Sequence, residues 1–338
     1  MKNRQWLLKR RPSGEVSRED FERVDAEVSG EDLAPGEILL RNHVLLCAPT
    51  MRNWMSGHTI GRFRTIELGT PVLAPGASEV VASRSDRHPV GMRVSGLASW
   101  QDYQVVDTAT LGVSPIADEL SYVDAMGPFG LNPQTAYFGL LRVGRPEPGE
   151  TVLVSGAAGS TGSTAAQIAK IKGCRVVGIA GGPEKCGWLR DTCGLDGVID
   201  YKSENLRDRI SELCPDGVDL FYDNVGGETL QAAIDNMAKH GRIVLCGQIA
   251  GYNDDDTPEG PRNMMRMIYG SIRMQGFILS DYFADVPEAI AELRRWSAEG
   301  RMVHRVDLRH DFERLPEIYN DLFSGANAGT LLVDIASD

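Results

Sequence analysis

The sequence predicts an α/β protein, with a doubly wound parallel sheet in the middle of the chain and β-rich segments before and after it. Three observations carry this reading. From about residue 128 to 299, apolar strands alternate with helical stretches, the pattern that builds βαβ units around a parallel sheet. Residues 1–125 read instead as all-β, with short apolar runs between turn residues, and the segment 300–338 returns to that texture. Lastly, an apolar strand at 151 runs into a glycine-rich turn that opens a helix. The expected division is 1–127 as the first part of an outer domain, 128–299 as a central domain, and 300–338 as the return to the outer one.

In the first segment, Met1 to Arg11 is basic with no apolar stretch behind it. It reads as a first strand with Trp6, Leu7 and Leu8 packed inward, not as a secretory signal. Glu37–Leu46 and Val80–Ala82 are strand candidates, set off by the turn signals Pro35-Gly36 and Pro75-Gly76. In the middle, strands are expected at Thr151–Ser155, Arg175–Ala180, Gly197–Asp200, Val218–Val225, Arg242–Cys246 and Met274–Leu279. Helices are expected at Thr161–Lys172, Pro183–Thr192, Glu204–Leu213, Glu228–Met237 and Pro287–Glu299. The tail closes on strand-like Gly329–Ile335. A tail resembling the first segment implies a discontinuous outer domain, and a cleft between domains is the natural place for a ligand.

Composition narrows the function. A chain of 338 residues with 42% hydrophobic and 24% charged residues can bury ordinary globular cores. No apolar run reaches the about 18 residues a membrane span needs. A net charge of −12 argues against nucleic acid or an anionic membrane as partner, but not against a local phosphate site, which needs only one or two cations. Six scattered cysteines without a C-x-x-C pair read as reduced thiols, so a cytoplasmic enzyme is expected.

The strongest local signal is Thr151-Val-Leu-Val-Ser-Gly-Ala-Ala-Gly-Ser-Thr-Gly162. Against the pattern G-x-G-x-x-G, Ala157 stands at the first glycine and Gly159 and Gly162 at the others. Small residues permit a tight turn and close approach to a pyrophosphate, and the helix that follows offers N–H groups and positive dipole potential. Ala165, Ile168 and Ala169 give that helix an apolar face. This reads as a Rossmann-type nucleotide site, the alternative being a glycine-rich turn with no ligand. An NAD site places Asp or Glu near the end of its second strand for the ribose 2′-OH. This chain has Gly181-Gly182-Pro183 there, then Glu184 and Lys185. The small residues leave room for a 2′-phosphate that Lys185 neutralises, so NADPH is the expected cofactor. The alternative for Lys185 is a solvated lysine in a first helical turn.

No metal is expected. A catalytic zinc needs three protein ligands. Cys47, His43 and His58 are the only neighbours in sequence, and no cysteine lies between 47 and 174 to build a structural lobe. Cys47 reads as a small buried residue.

Several segments resemble one family: Asn3-Arg-Gln-Trp-Leu-Leu8, Val94-Ser-Gly96, Thr135-Ala-Tyr-Phe-Gly-Leu140, Ser155-Gly-Ala-Ala-Gly159, Asp223-Asn-Val-Gly-Gly227, Gly241-Arg-Ile-Val-Leu-Cys-Gly247 and Arg273-Met-Gln-Gly-Phe277. Over nearly its whole length the chain resembles the zinc-independent branch of the medium-chain dehydrogenase/reductase superfamily. Within it, prostaglandin reductases, alkenal double-bond reductases and curcumin reductase are the nearest in pattern. The resemblance implies a discontinuous GroES-like β-barrel domain beside the Rossmann domain, and NADPH-dependent reduction of the C=C bond of an α,β-unsaturated ketone or aldehyde. It places Gly159, Ser160, Thr161, Gly162 and Ser163 around the pyrophosphate and Lys185 and Tyr201 at the 2′-phosphate. Asn224 contacts the cofactor in this reading. Cys246, Gly247 and Tyr252, with Phe277, Ile278 and Leu279, run along the nicotinamide, and Asn327 binds its end. A homodimer is expected.

The pattern departs at Ala48-Pro-Thr-Met-Arg-Asn53, where relatives carry Asp-Pro-Tyr-Met-Arg-Gly. Thr50 thus replaces a substrate-facing tyrosine, which counts against large aromatic enones such as curcumin. Thr330 stands where many relatives have lysine. In the implied chemistry, hydride reaches the β-carbon and charge develops on the carbonyl oxygen, where a fixed donor lowers the barrier. Tyr252 is the side-chain candidate, and the cofactor ribose hydroxyl is another. Tyr252 as a loop aromatic covering the cofactor, and Asn327 as a plain turn residue, are the alternatives. An NADPH:quinone oxidoreductase is the alternative activity.

Overall fold

The computed structural model describes residues 1–58, 65–254, 260–262 and 264–336. They form two compact units, Met1–Pro128 with Val306–Asp338, and Phe129–Arg305.

The second unit is built on six parallel strands in the order Gly197–Asp200, Arg175–Ala180, Thr151–Val154, Val218–Asp223, Met237–Leu245 and Arg273–Gly276. The strand at 151 has its chain successor on one side and Val218–Asp223 on the other, so the winding direction reverses beside it. In such sheets ligands bind at that reversal, outside the carboxyl ends of the strands. Strand residues alternate between two cores because successive side chains point to opposite faces. Val152, Val154, Leu220 and Tyr222 pack with Ala165, Ile168, Ala169, Leu189 and Trp296. Leu153, Val177, Ile179 and Phe221 pack with Ile210, Leu230 and Ile234 on the opposite side.

The expected helices form as Ser160–Ile171, Pro183–Asp191, Leu206–Leu213, Gly227–Asp235 and Val286–Ala298. Two expectations are corrected. The strand placed at Arg242–Cys246 begins at Met237, where pairing with Val218 starts. The strand placed at Met274–Leu279 ends at Gly276, because residues 277–279 leave the sheet and Leu279 opens a 3-10 turn through Asp285. The sequence reading also lacked the helix Leu131–Phe138, which widens into a π-turn at Gly139–Gly144. Its start, Gly130-Leu-Asn-Pro133, looks like a linker, yet Pro133 is tolerated in a first helical turn.

In the first unit a sheet runs Val306–His310, Thr330–Asp334, Glu37–Leu46, Leu73–Ser83, Arg93–Ser99 and Val113–Pro115, with Tyr103–Asp107 also on Glu37–Leu46. The tail strand Thr330–Asp334 lies antiparallel on Glu37–Leu46. Lys2–Leu8 and Phe21–Glu27 form a separate hairpin-like pair. Three details of the all-β reading are overturned. Met51–Met55, Tyr122–Met126 and, in the tail, Leu315–Ser324 are helical. The second is started by Ser121 and Asp124 capping each other's backbone, and the third buries Leu315, Ile318 and Tyr319. Pro75-Gly76 is strand interior, not a turn: a Cβ on Gly76 would sit 2.7 Å from that of Ala98, so glycine serves close strand approach. Of the three N-terminal residues expected inward, Trp6 and Leu8 are buried, while Leu7 between them points the other way and is only half-buried.

Candidate functional site

The first strand-to-helix turn in the parallel sheet is made of backbone. Gly156 takes the left-handed conformation, φ 57°. That explains Ala157: the residue that must be glycine lies one position earlier, and the Ala157 N–H is free to bond Ile179 O at 2.9 Å. Gly159 caps the helix from extended geometry. A Cβ on Gly162 would lie 2.2 Å from Gly156 O, so the helix can start this close to the turn only with glycine there. First-turn N–H groups of a helix lack intrahelical acceptors and face positive dipole potential. Ser160 and Thr161 lie in this first turn, and Ser163 is buried with its hydroxyl bonding back to Ser160 O at 3.3 Å.

A polar knot ties this turn to the neighbouring strand end. The Ser155 hydroxyl donates to Asp223 Oδ1 at 2.7 Å and accepts from the Asn224 N–H at 2.8 Å. The Asn224 side-chain amide donates to Ser155 O at 2.7 Å, and Asp223 also accepts from the N–H groups of Val225 and Gly226. Asp223 is fully buried, and burial raises its carboxyl above the ordinary range despite those donors. The Cys246 and Gly247 N–H groups bond Asp223 O at 2.8 and 3.1 Å, so the segment leading to Tyr252 lies beside the Asp223–Gly227 loop. The Tyr252 hydroxyl oxygen accepts from the Gln248 N–H at 3.2 Å, and a Cβ on Gly247 would lie 3.1 Å from Asn224 O and 3.4 Å from that hydroxyl. Asn224, Gly247 and Tyr252 are therefore brought together. The half-buried Cys246 has its thiol pushed up to about 12 by burial, and the neighbouring Tyr222 phenol donates to Thr135 O at 3.3 Å. Phe277 packs under Gly139, Ile278 is half-buried, and Leu279 is buried in the unit's core.

The second turn, after Ala180, is made of charge. Gly182 has φ 89° and precedes the helix Pro183–Asp191. Asp200 Oδ1 accepts from the N–H groups of Gly182, at 2.8 Å, and Lys202, at 3.0 Å. The exposed Tyr201 ring and the Lys202 stem lie over Gly181: a Cβ there would meet them at 2.7 and 3.0 Å. Lys185 is half-buried, and its ammonium is held below the usual lysine range, by burial first and then by Lys202 and Arg305, against the opposing pull of Glu184. Sequence reasoning missed Lys202 and Arg305. Adjacency to Tyr201 is a signal for the first, but Arg305 is 120 residues from Lys185 and left none.

In the other unit, Thr50 precedes the helix Met51–Met55 and accepts from the Asn53 N–H. The segment is clamped by the buried Arg52, which donates to Gly14 O and Pro12 O, and by Pro49 O accepting from the Tyr319 hydroxyl. Asn327 sits in the loop between the helix Leu315–Ser324 and the strand Thr330–Asp334, its amide donating to Gly329 O at 3.0 Å. Asp307 steadies that loop by accepting from the Ala328 N–H, a contact sequence reasoning did not foresee. Cys47 is buried and pushed up to about 12, by desolvation first. Among the described residues no three His, Cys, Asp or Glu side chains gather as a metal-holding group.

Two family models match the chain: "N-terminal domain of oxidoreductase" over residues 4–113 and "Zinc-binding dehydrogenase" over 160–295. The chain is 34% identical to an NADPH-dependent curcumin reductase of Escherichia coli (strain K12), covering 100% of this chain and 98% of that protein. It is 33% identical to a 2-alkenal reductase (NADP(+)-dependent) of Nicotiana tabacum, covering 99% and 98%. A crystal structure of CurA from Vibrio vulnificus in complex with NADPH superposes with a TM-score of 0.91 at 34% identity, covering 98% of both chains.

Proposed function

The chain belongs to the zinc-independent branch of the medium-chain dehydrogenase/reductase superfamily, and on that premise we propose how it works as an NADPH-dependent reductase of the C=C bond of small α,β-unsaturated ketones or aldehydes. What carries the reading is the full-length likeness to such reductases together with a glycine turn whose neighbour has cations where an NAD site has an acid. The residues fit NADPH. Glycine at 162 lets the helix start hard against the Gly156 turn, which brings its first-turn N–H groups close, and Lys185 stands beside a second turn that has glycines where an NAD site carries its acid. Gly159 to Ser163 would hold the pyrophosphate, Lys185 and Tyr201 the 2′-phosphate, and Asn224, Cys246, Gly247 and Tyr252, with Phe277 to Leu279, the nicotinamide. The roles of Thr50 and Asn327 rest on the resemblance alone.

NADPH, when bound, supplies a hydride for the carbon β to the carbonyl. The chain's part is to orient and to stabilise charge. The Gln248 N–H holds the Tyr252 hydroxyl oxygen beside Gly247, and this positioned phenol is the O–H donor to the developing enolate oxygen. A delocalised enolate makes a smaller demand than the alkoxide of carbonyl reduction, so one neutral donor meets it, and a proton from water at the α-carbon then completes the saturated product. The test is to incubate the protein with NADPH and a small enone, with a simple quinone in parallel, and identify products by mass spectrometry and NMR. A saturated ketone is expected; an allylic alcohol, or turnover of the quinone alone, overturns the reading. Tyr252→Phe should lower turnover about ten- to thousandfold with NADPH affinity little changed; unaltered turnover removes Tyr252 from that role.

A homodimer in the cytoplasm completes the proposal. Among the described residues Arg273–Gly276 is an edge of the parallel sheet, and Met265, Ile268 and Tyr269 just before it are exposed, a combination that favours pairing with a second copy. Sedimentation showing a monomer at micromolar concentration overturns it. All six cysteines are free thiols, which suits a reducing compartment; cell fractionation tests that placement.

A further inference from the structure

The second turn holds more charge than one lysine needs. Lys202 lies folded over Gly181, its backbone stapled to Gly182 through the shared Asp200 carboxylate. Arg305 reaches the same helix start from the far end of the unit, its guanidinium 2.6 Å from the Glu184 carboxylate. Glu184 immediately precedes Lys185, and its side chain is 80% exposed. Three cations and two acids, Asp200 and Glu184, thus surround the point where the second strand ends, and of the acids Glu184 pairs with the side chain of Arg305. We propose that Arg305 and Lys202 join Lys185 as the seat of a 2′-phosphate, and that Glu184, by holding Arg305, sets how strongly the seat discriminates for that phosphate. The proposal rests on the NADPH reading and deepens it.

The physical argument has two parts. Clustered like charges disfavour one another, and the Lys185 ammonium bears that cost from Lys202 and Arg305 as well as from burial. A phosphate dianion arriving among them relieves the repulsion, whereas a ribose hydroxyl does not, so every cation added widens the gap between the two ligands. Glu184 works the other way. Its carboxylate is held below the usual range chiefly by its hydrogen bond to Arg305, so it stays ionised and competes with the phosphate for one guanidinium. An acid placed here weakens the seat without closing it.

The experiment uses the full chain and a ligand that carries no nicotinamide, so the readout is independent of catalysis. Isothermal titration of adenosine 2′,5′-bisphosphate is compared with 5′-AMP. Arg305→Gln should cut affinity for the bisphosphate about tenfold and leave 5′-AMP within about twofold, Arg305→Lys should recover part of the loss, and Glu184→Gln should raise bisphosphate affinity about threefold. If Arg305→Gln leaves the ratio of the two affinities unchanged while Lys185→Ala collapses it, the role of Arg305 is wrong and the NADPH reading stands. Equal loss of both ligands in Arg305→Gln marks a structural role and also overturns the proposal. A wild-type protein that does not prefer the bisphosphate overturns the NADPH reading itself. Should Arg305→Gln fail to fold, the exposed Glu184→Gln decides alone, and an unchanged ratio there overturns the proposal.

Discussion

Two strand-to-helix turns sit on neighbouring parallel strands. In the turn after Val154, the shape is set by backbone: a left-handed Gly156, and a Gly162 with no room for a Cβ. In the turn after Ala180, the shape is set by side chains. One carboxylate, Asp200, bonds two backbone N–H groups, and Lys202 and Arg305 press on the Lys185 ammonium. The first turn offers an anion only N–H groups and the field of a helix, which any dinucleotide pyrophosphate satisfies equally. The second offers net cations, which one phosphate more or less changes greatly. On the proposed reading, affinity for dinucleotides as a class belongs to sterics, and choice among them to electrostatics.

Gly162→Ala is the sharpest break of this contrast. Its Cβ would meet the backbone of Gly156 at 2.2 and 2.8 Å, and backbone cannot swing aside. A loss of about 3 kcal/mol or more in stability is expected, with all nucleotides weakened together. The same substitution at Gly276, where a Cβ meets nothing within 4 Å, should stay within about 0.5 kcal/mol. Denaturant titration of both variants checks this; equal stability in the two removes the steric account of the first turn.

Lys185→Ala should act on selectivity. One lost charge-assisted contact costs about 1.5–3 kcal/mol, so NADPH affinity should fall about ten- to hundredfold while NADH affinity stays level. If both cofactors weaken alike, the second turn does not discriminate by charge.

Asp200→Asn is the mildest case. The Asp200 carboxyl is held below its ordinary value of 3.8, by its bond from the Gly182 N–H first. A carboxyl with a lowered native pKa lends stability that is complete above the ordinary value and fades as the pH falls through the native one. Acid should thus loosen the second turn only below about pH 4. At neutral pH, Asp200→Asn removes a charge but also weakens the two backbone bonds that shape the turn, unlike Glu184→Gln, and this loosening should outweigh the charge, weakening 2′-phosphate ligands about threefold and leaving the first turn intact. A change in 5′-AMP binding as large as that in the bisphosphate would show the two turns to be one mechanical unit.

The legibility of these regions differed for the same physical reason. The turn after Val154 was readable because it is local: strand, small residues and amphipathic helix follow one another, and each constrains the next. The missing acid after Ala180 was readable too, and with it Lys185. Arg305 was not, since only the folding of 120 intervening residues brings it to Glu184. The helix Leu131–Phe138 escaped because glycine, asparagine and proline at its start imitate a linker, while its identity comes from burying Ala136 and Phe138 in the core. Pro75-Gly76 misled in the opposite direction, since a turn-like dipeptide serves where two strands must approach closely.

By itself, then, the sequence determined the parallel α/β unit, the glycine turn and the absence of an acid at the end of the second strand, because periodicity and glycine spacing are properties of adjacent residues. The helix in the tail, the Ser155–Asp223–Asn224 knot, the placing of Tyr252 beside Gly247 and the meeting of Arg305 with Glu184 were decided by tertiary structure. Each depends on side chains from distant segments sharing a buried or half-buried neighbourhood, and pattern along the chain carries no record of that until the sheet has formed.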